Sequence, residues 1–180
     1  MPLPILESRR VRLRPAGADD GVVLYRILLR LGLSTLPTQE AFLSEFAGHA
    51  AAQFRIERRD TGEVVGFSSL HELDPAGHVD LGVYTDPAKI LPGLGAEAGI
   101  LTINYAFATW NIHKVYIRTT RASIPSMGLS INLLAEEGVL RDHLYFQGTL
   151  WDLHIFAMYR EKWMEFDAER TIRHLAPSAS

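Results

Sequence analysis

The chain has 180 residues, no cysteine, 47% hydrophobic residues and a formal net charge of −3. At about 150 residues per domain this is one domain, able to bury roughly 70% of its unfolded surface without a disulfide or metal staple. The missing cysteine excludes a disulfide framework, thiolate metal ligation and a cysteine nucleophile, and 18 basic against 21 acidic residues leave no charge excess to attract nucleic acid or an anionic membrane.

The opening residues, Met1-Pro2-Leu3-Pro4-Ile5-Leu6-Glu7, carry no basic stretch followed by a long apolar run. The longest apolar run, near 98–108, is broken by Gly99, Thr102 and Asn104. A soluble, cytoplasmic protein without a membrane partner is the expectation. Alternation over residues 8–14 predicts a half-buried strand. Val22, Val23, Tyr25, Leu28 and Leu29 recur at helical spacing over 19–31, with Asp19 and Asp20 favourably placed at the N-terminal end. Pro37-Thr38 opens a second predicted helix running to about residue 52, with Phe42, Phe46 and His49 at helical spacing. Strands follow at 54–59 and 64–73 around Asp60-Thr61-Gly62-Glu63, and Asp74-Pro75-Ala76-Gly77 turns the chain into a strand at 78–85. A loop ending Pro92-Gly93-Leu94-Gly95 then leads into a helix to about residue 110 that is apolar on nearly all sides. A strand at 114–119, a helix at about 124–137, strands at 140–146 and 150–159 joined through Gln147-Gly148, and a helix at about 163–174 complete the order. The tail Ala176-Pro177-Ser178-Ala179-Ser180 is expected to fray. The pattern is a mixed α/β domain.

The loop at 86–98 is the most informative stretch. Two glycines let backbone N–H groups approach a ligand closely, and the helix start after them favours an anion such as a pyrophosphate. The same Pro-Gly-x-Gly also serves as a tight strand-to-helix connection. The loop lacks the Gly-Lys-Ser/Thr of a nucleotide-triphosphate loop and the third glycine of a dinucleotide fingerprint.

Ile90-Leu91-Pro92-Gly93-Leu94-Gly95, followed by Ala96-Glu97-Ala98, resembles the coenzyme A loop of the GNAT superfamily of N-acetyltransferases, Q/R-x-x-G-x-G/A. Ser8 to Pro15 resembles that family's opening E-R-L-x-L-R-P strand, and Asp80-Leu81-Gly82-Val83-Tyr84 its A-E-I-G-Y strand. Asn111-Ile112-His113-Lys114-Val115 resembles N-L-H-R-V. Glu137-Gly138-Val139-Leu140-Arg141-Asp142 resembles the E-G-x-L-R segment of the branch that acetylates ribosomal-protein N-termini and similar amines. The shared order over about 150 residues carries the resemblance, since no one motif is specific.

The resemblance implies a central, mostly antiparallel sheet with a splayed parallel strand pair and flanking helices, as a GNAT-like domain over 1–162 with a C-terminal helix and tail over 163–180. Acetyl-CoA would enter the opening and meet Val83, Tyr84 and Thr85 on one strand and Leu91, Gly93, Leu94, Gly95 and Ala96 in the loop. A backbone N–H would polarise the thioester, and the amine would attack directly, with one side chain taking its proton and another protonating the thiolate. The acceptor implied is a small-molecule or peptide amine, and a homodimer is an expected assembly.

Candidate residues carry competing readings. Asp80, at the acidic position of A-E-I-G-Y, reads as general base or as a surface strand carboxylate, and His71 on the neighbouring strand titrates in a useful range. Ser126 matches the serine that resembles the family's general acid, and equally suits a helix N-cap, as does Ser123. Asp152 and His154 share one side of the last strand, where they would line a substrate site or, with Asp142 and His143, a metal; no tight ligand motif supports the metal. Three positions depart from the family pattern. Ile90 replaces the polar residue that opens the loop motif, Pro92 removes a backbone donor, and Ser123-Ile124-Pro125-Ser126 lacks the family's Asn. Lys89 would supply a compensating charge. These departures keep open a different donor, such as an acyl-carrier protein or aminoacyl-tRNA, and a non-catalytic binding module.

Overall fold

The structure, a computed structural model, describes residues 4–32, 36–46, 48, 50–124, 131–146 and 148–166. Along the chain run β1 (Val11–Pro15), α1 (Gly21–Arg30), α2 (Gln39–Glu45), β2 (Ala50–Arg58), β3 (Val64–Asp74), β4 (His78–Thr85), α3 (Leu94–Thr109), β5 (Lys114–Thr119), β6 (Ala135–Phe146), β7 (Thr149–Tyr159) and α4 (Arg160–Glu165). The strands form one seven-stranded sheet in the order β1-β2-β3-β4-β5-β7-β6. Every neighbouring pair is antiparallel except β4 and β5. This is the mixed α/β architecture that the residue patterns imply, with the one parallel pair that the resemblance implies. No helix among the described residues is long and apolar enough to cross a membrane.

Strand alternation divides the sheet into two faces. On one, Leu24, Ile27 and Leu28 of α1 pack against Phe67, with Phe42 of α2, Phe46 just after it and Tyr84 beside them. On the other, α3 packs into a larger core with Ile56, Leu70, Val79, Val115 and Phe156. The near-continuous apolar surface of α3 is thus satisfied by burial on most sides. Among its buried polar residues, Thr102 donates to Ala98 O at 2.8 Å and also lies 2.8 Å from Ser68 Oγ across to β3.

Three boundaries differ from expectation. The helix expected from 37 to 52 ends at Glu45, and Ala50 already pairs with His71 in β2. Ala50, Ala51 and Ala52 are good helix formers, and pairing along β3 overrides that preference. The helix expected at 124–137 gives way to a short 3-10 turn over Ile131–Leu133 and to β6 from Ala135; residues 125–130 lie outside the described set. A register shift between Glu136 and Gly138 breaks the alternation that would have marked this strand. The last helix begins at Arg160, three residues earlier than expected, and the described part ends at residue 166.

That early start has a structural reason. Arg160 donates to Phe107 O at 2.9 Å, Trp110 O at 2.6 Å and Ile112 O at 2.6 Å, and its guanidinium lies 5.0 Å from the Phe107 ring centroid. It therefore serves carbonyls that the end of α3 leaves without a partner. Trp163, one turn on, is buried in the larger core. The expected division at 162/163 thus falls inside α4. Replacing Arg160 with methionine keeps most of the packing and leaves three carbonyls short of a charged donor. The expected loss is about 2–3 kcal/mol in denaturant-unfolding stability; a loss under 0.5 kcal/mol would show that water replaces the guanidinium freely.

Candidate active site

Pairing between β4 and β5 runs His78↔Lys114, Val79↔Val115, Asp80↔Tyr116 and Leu81↔Ile117, and then stops. Beyond it, Gly82 to Thr85 continue along β3, while Arg118 and Thr119 continue along β7. The two strands part, and from residue 82 the β4 edge that faced β5 has no strand partner among the described residues. Backbone donors and acceptors on such an edge require partners from elsewhere. Val83, Tyr84 and Thr85, which the resemblance assigns to the cofactor, lie on this segment.

The loop after β4 ends at Gly93, the N-cap of α3, which has φ +83°. Gly95 and Ala96 stand in the first turn of α3, where the helix offers no carbonyl one turn back to accept from their amides. The loop is braced by a contact that the sequence does not disclose. Arg10 binds Glu97 in that first turn through Nε and Nη2, and its Nη1 donates to Pro92 O at 3.0 Å. Glu97 is buried and also accepts from Ser8 Oγ. Arg10 lies so close over the loop that a Cβ at Gly93 would come within 2.7 Å of Nη2.

The departures from the family pattern acquire a physical account here. Ile90 is half-buried against the larger core, an environment for an apolar side chain. Lys89 pairs with Glu63 at 3.0 Å, so the compensating charge expected of it is committed elsewhere. The cation at the loop is Arg10. A hollow of about 150 Å³ flanks it, lined by Arg9, Arg10, Arg58, Asp60, Leu91 and Leu94. At the loop's start, buried Asp86 accepts from the Ala88 amide at 3.0 Å and binds Arg30 at the end of α1.

Three cross-strand pairs, Phe67↔Tyr84, Ser69↔Gly82 and His71↔Asp80, place their side chains on the face beneath α1 and α2. Asp80 stands next to the point where β4 and β5 part. Arg118 Nε forms an ion pair with its Oδ2 at 2.8 Å, while the buried Oδ1 has no hydrogen-bond partner. Burial pushes the Asp80 carboxyl above its ordinary value, and Arg118 opposes that rise. His71 Nε2 lies 2.6 Å from Ser69 Oγ. Gly82 has a role that its place in the strand motif does not explain. A Cβ there would come within 2.9 Å of Ser69 Oγ and 3.0 Å of Tyr84 Oη, so its absence lets the Tyr84 ring lie across the strand. Burial raises the Tyr84 phenol and keeps it protonated. A cavity of about 190 Å³ separates this wall from α1 and α2, with Ser69, His71 and Tyr84 on its sheet side.

The structure thus brings Asp80, His71 and the free β4 edge together at one opening, with Gly93, Gly95 and Ala96 at the start of the helix that follows. Ser126 lies outside the described residues. Asp152 and His154 are engaged apart from this site. Asp152 accepts from the Asp142 amide at 3.0 Å and pairs with Arg141, whereas His154 binds Glu136 and stacks on Phe156. Among the described residues no three His, Asp or Glu side chains converge as metal ligands.

Comparison with known proteins gives a consistent result. The family model described as acetyltransferase (GNAT) domain matches residues 10–131. The chain is similar to YoaA of Bacillus subtilis (strain 168), described as an uncharacterized N-acetyltransferase, with 24% identity over 174 residues covering 88% of this chain and 98% of that one. Among solved structures it is similar to mutant forms of the spermidine/spermine N-acetyltransferase SpeG from Vibrio cholerae, with a TM-score of 0.73 and 15% identity over 87% of this chain and 98% of that one. A GCN5-related N-acetyltransferase from Brucella melitensis matches with a TM-score of 0.70 and 22% identity, covering 96% of this chain and 86% of that one. At these identities the structural matches establish the fold.

Proposed function

The chain belongs to the GNAT family of acetyltransferases, and on that premise we propose that it transfers an acetyl group from acetyl-CoA directly to a primary amine at the opening between β4 and β5. The observation that supports this most is the end of the parallel pairing at Leu81↔Ile117, which leaves the β4 edge open beside a helix start with Gly93 in the left-handed conformation. The pantetheine amides would pair with the Val83–Thr85 segment, and the pyrophosphate would rest on the amides of Gly95 and Ala96. Arg10 holds the loop in shape, and Arg9 would place positive charge beside the phosphates, whereas Arg58 is committed to Asp60. Leu91 and Leu94 would contribute backbone to the same cradle.

Asp80 is assigned as the base. Its Oδ1 is free to take a proton, and its raised proton affinity suits acceptance from an ammonium. The neutral amine then attacks the thioester carbon, whose oxygen is polarised by a β4 amide. A C–N bond forms and the C–S bond breaks; the thiolate of CoA takes a proton from a donor for which Ser126 is the candidate, and the second proton released by the new amide nitrogen restores that donor through solvent. His71, opposite Asp80, lies on the acceptor side.

Calorimetric titration with CoA and a thiol-release assay over a panel of amines test this reading. Micromolar binding and amine-dependent release of one thiol per acetyl group transferred are expected. No binding at millimolar CoA would refute it. Acetylated carrier protein, run in parallel, would displace CoA from the proposal if it alone supported turnover.

A further inference from the structure

We infer that the acceptor is a small monoamine whose nitrogen is joined by a short linker to one aromatic or branched apolar group. The inference rests on the acetyl-transfer reading of the site and goes on to the chemistry of the cavity. Its helix side is apolar, made by Leu24, Leu28, Pro37, Phe42 and Phe46. Its sheet side is polar, made by Gln53, Ser69, His71 and Tyr84. A guest that satisfies both walls has an apolar end and a polar end, with the nitrogen toward the sheet, where His71 is the cross-strand partner of Asp80.

Volume and charge narrow the class. An apolar cavity of about 150 Å³ accepts a benzene ring, so about 190 Å³ has room for one ring and a two-carbon link. Phe42 packs at a tilt against Tyr25 and Phe46, at centroid distances of 5.2 and 5.6 Å, so the helix side offers aromatic surface to a ring. A polyamine places further ammonium groups along its length, and each buried charge needs a counter-charge. Glu45, exposed on the rim, is the one carboxylate lining this cavity among the described residues. A second or third ammonium would meet leucine, proline and phenylalanine.

The test uses the full chain with 2-phenylethylamine, ethylamine, spermidine and a phenylalanyl tripeptide as acceptors. It combines steady-state thiol release with calorimetric titration of each amine into the CoA-saturated protein. The expected kcat/KM for 2-phenylethylamine exceeds that for ethylamine roughly thirtyfold, the worth of burying one aromatic side chain, and exceeds that for spermidine at least tenfold. Ala50, half-buried on the cavity wall, offers a way to fill it. Ala50→Leu should raise the KM for 2-phenylethylamine about tenfold with CoA affinity retained. Should that variant not fold, Phe42→Ala should shift preference toward the larger tryptamine.

Equal turnover of ethylamine or spermidine overturns the inference, as does a strict preference for the tripeptide or failure of any apolar amine to bind. Binding of 2-phenylethylamine with no thioester consumed would instead fault the acetyl-transfer reading and leave the assigned amine class supported. CoA binding with turnover of spermidine alone would do the reverse.

Discussion

Gly93→Val should lower affinity for acetyl-CoA at least a hundredfold, about 2.7 kcal/mol, while leaving the sheet and α3 folded. Two effects act at this position. Valine at φ +83° adopts a conformation that β-branched residues rarely tolerate, at a cost of about 1–3 kcal/mol, which the loop can relieve by rotating out of shape. The new Cβ also meets Arg10 Nη2 at 2.7 Å, so the guanidinium must shift, which loosens its hold on Pro92 O and Glu97. Losing a charge-assisted hydrogen bond adds about 1.5–3 kcal/mol. Both effects reach the amides of Gly95 and Ala96, because Glu97 in the same turn is the other end of the Arg10 contact. Gly93→Asn separates them, since asparagine accepts the left-handed region but still meets Arg10. Calorimetry with CoA should rank wild type above Asn and Asn above Val, and a thermal melt checks that α3 persists. Unchanged CoA affinity in the valine variant would remove the loop from the site.

The contrast between Gly93 and Arg10 shows which part of the site is legible in the sequence. Gly93 is visible because a glycine between a strand pattern and a helix pattern signals a positive φ or a close approach, and here it provides both. Arg10 binds a residue 87 positions away, and no local spacing marks such a partner. Ile90 reads as a lost polar contact until the core on which it packs is known. The same distinction holds for the fold. Strands β4 and β5 begin and end where expected, because Gly77 at φ +89° and the Asn111-Ile112-His113 segment punctuate them strongly. The starts of β2 and β6 are set by pairing with His71 and Ala157, and neither partner can be inferred from nearby residues. The helix expected across 124–137 fails at its C-terminal end for that reason, since the bulge at Glu136 and Gly138 hides the period of the strand. Gly82 lies between these cases. It appears in the strand motif, but its packing beneath the Tyr84 ring depends on the cross-strand partner Ser69.

Asp80→Asn is expected to lower kcat at least a hundredfold, within the range of lost general-base catalysis, without destabilising the protein at neutral pH. A structural role and a catalytic role predict opposite outcomes here. Were the Asp80–Arg118 pair a buried structural bridge, breaking it would leave an uncompensated charge and cost about 3–5 kcal/mol. Arg118, however, is 47% exposed in its side chain, so it returns to water when its partner is neutralised. Burial raises the Asp80 carboxyl above its ordinary value of 3.8. The folded state therefore holds this proton more tightly than the unfolded chain does. The stabilisation it provides is complete below about pH 3.8 and is lost as pH rises through the folded value. Above that point the desolvated carboxylate burdens the fold, and asparagine removes the burden, so the variant should melt at the same temperature as the wild type or higher. Activity runs the other way. The wild-type rate should rise with pH as Asp80 ionises, giving an acid limb in kcat/KM displaced upward from the ordinary aspartate value, and that limb should vanish in the asparagine variant. A variant that retains both rate and limb would move the base to His71; one that loses stability in proportion to rate would make Asp80 a brace for Arg118.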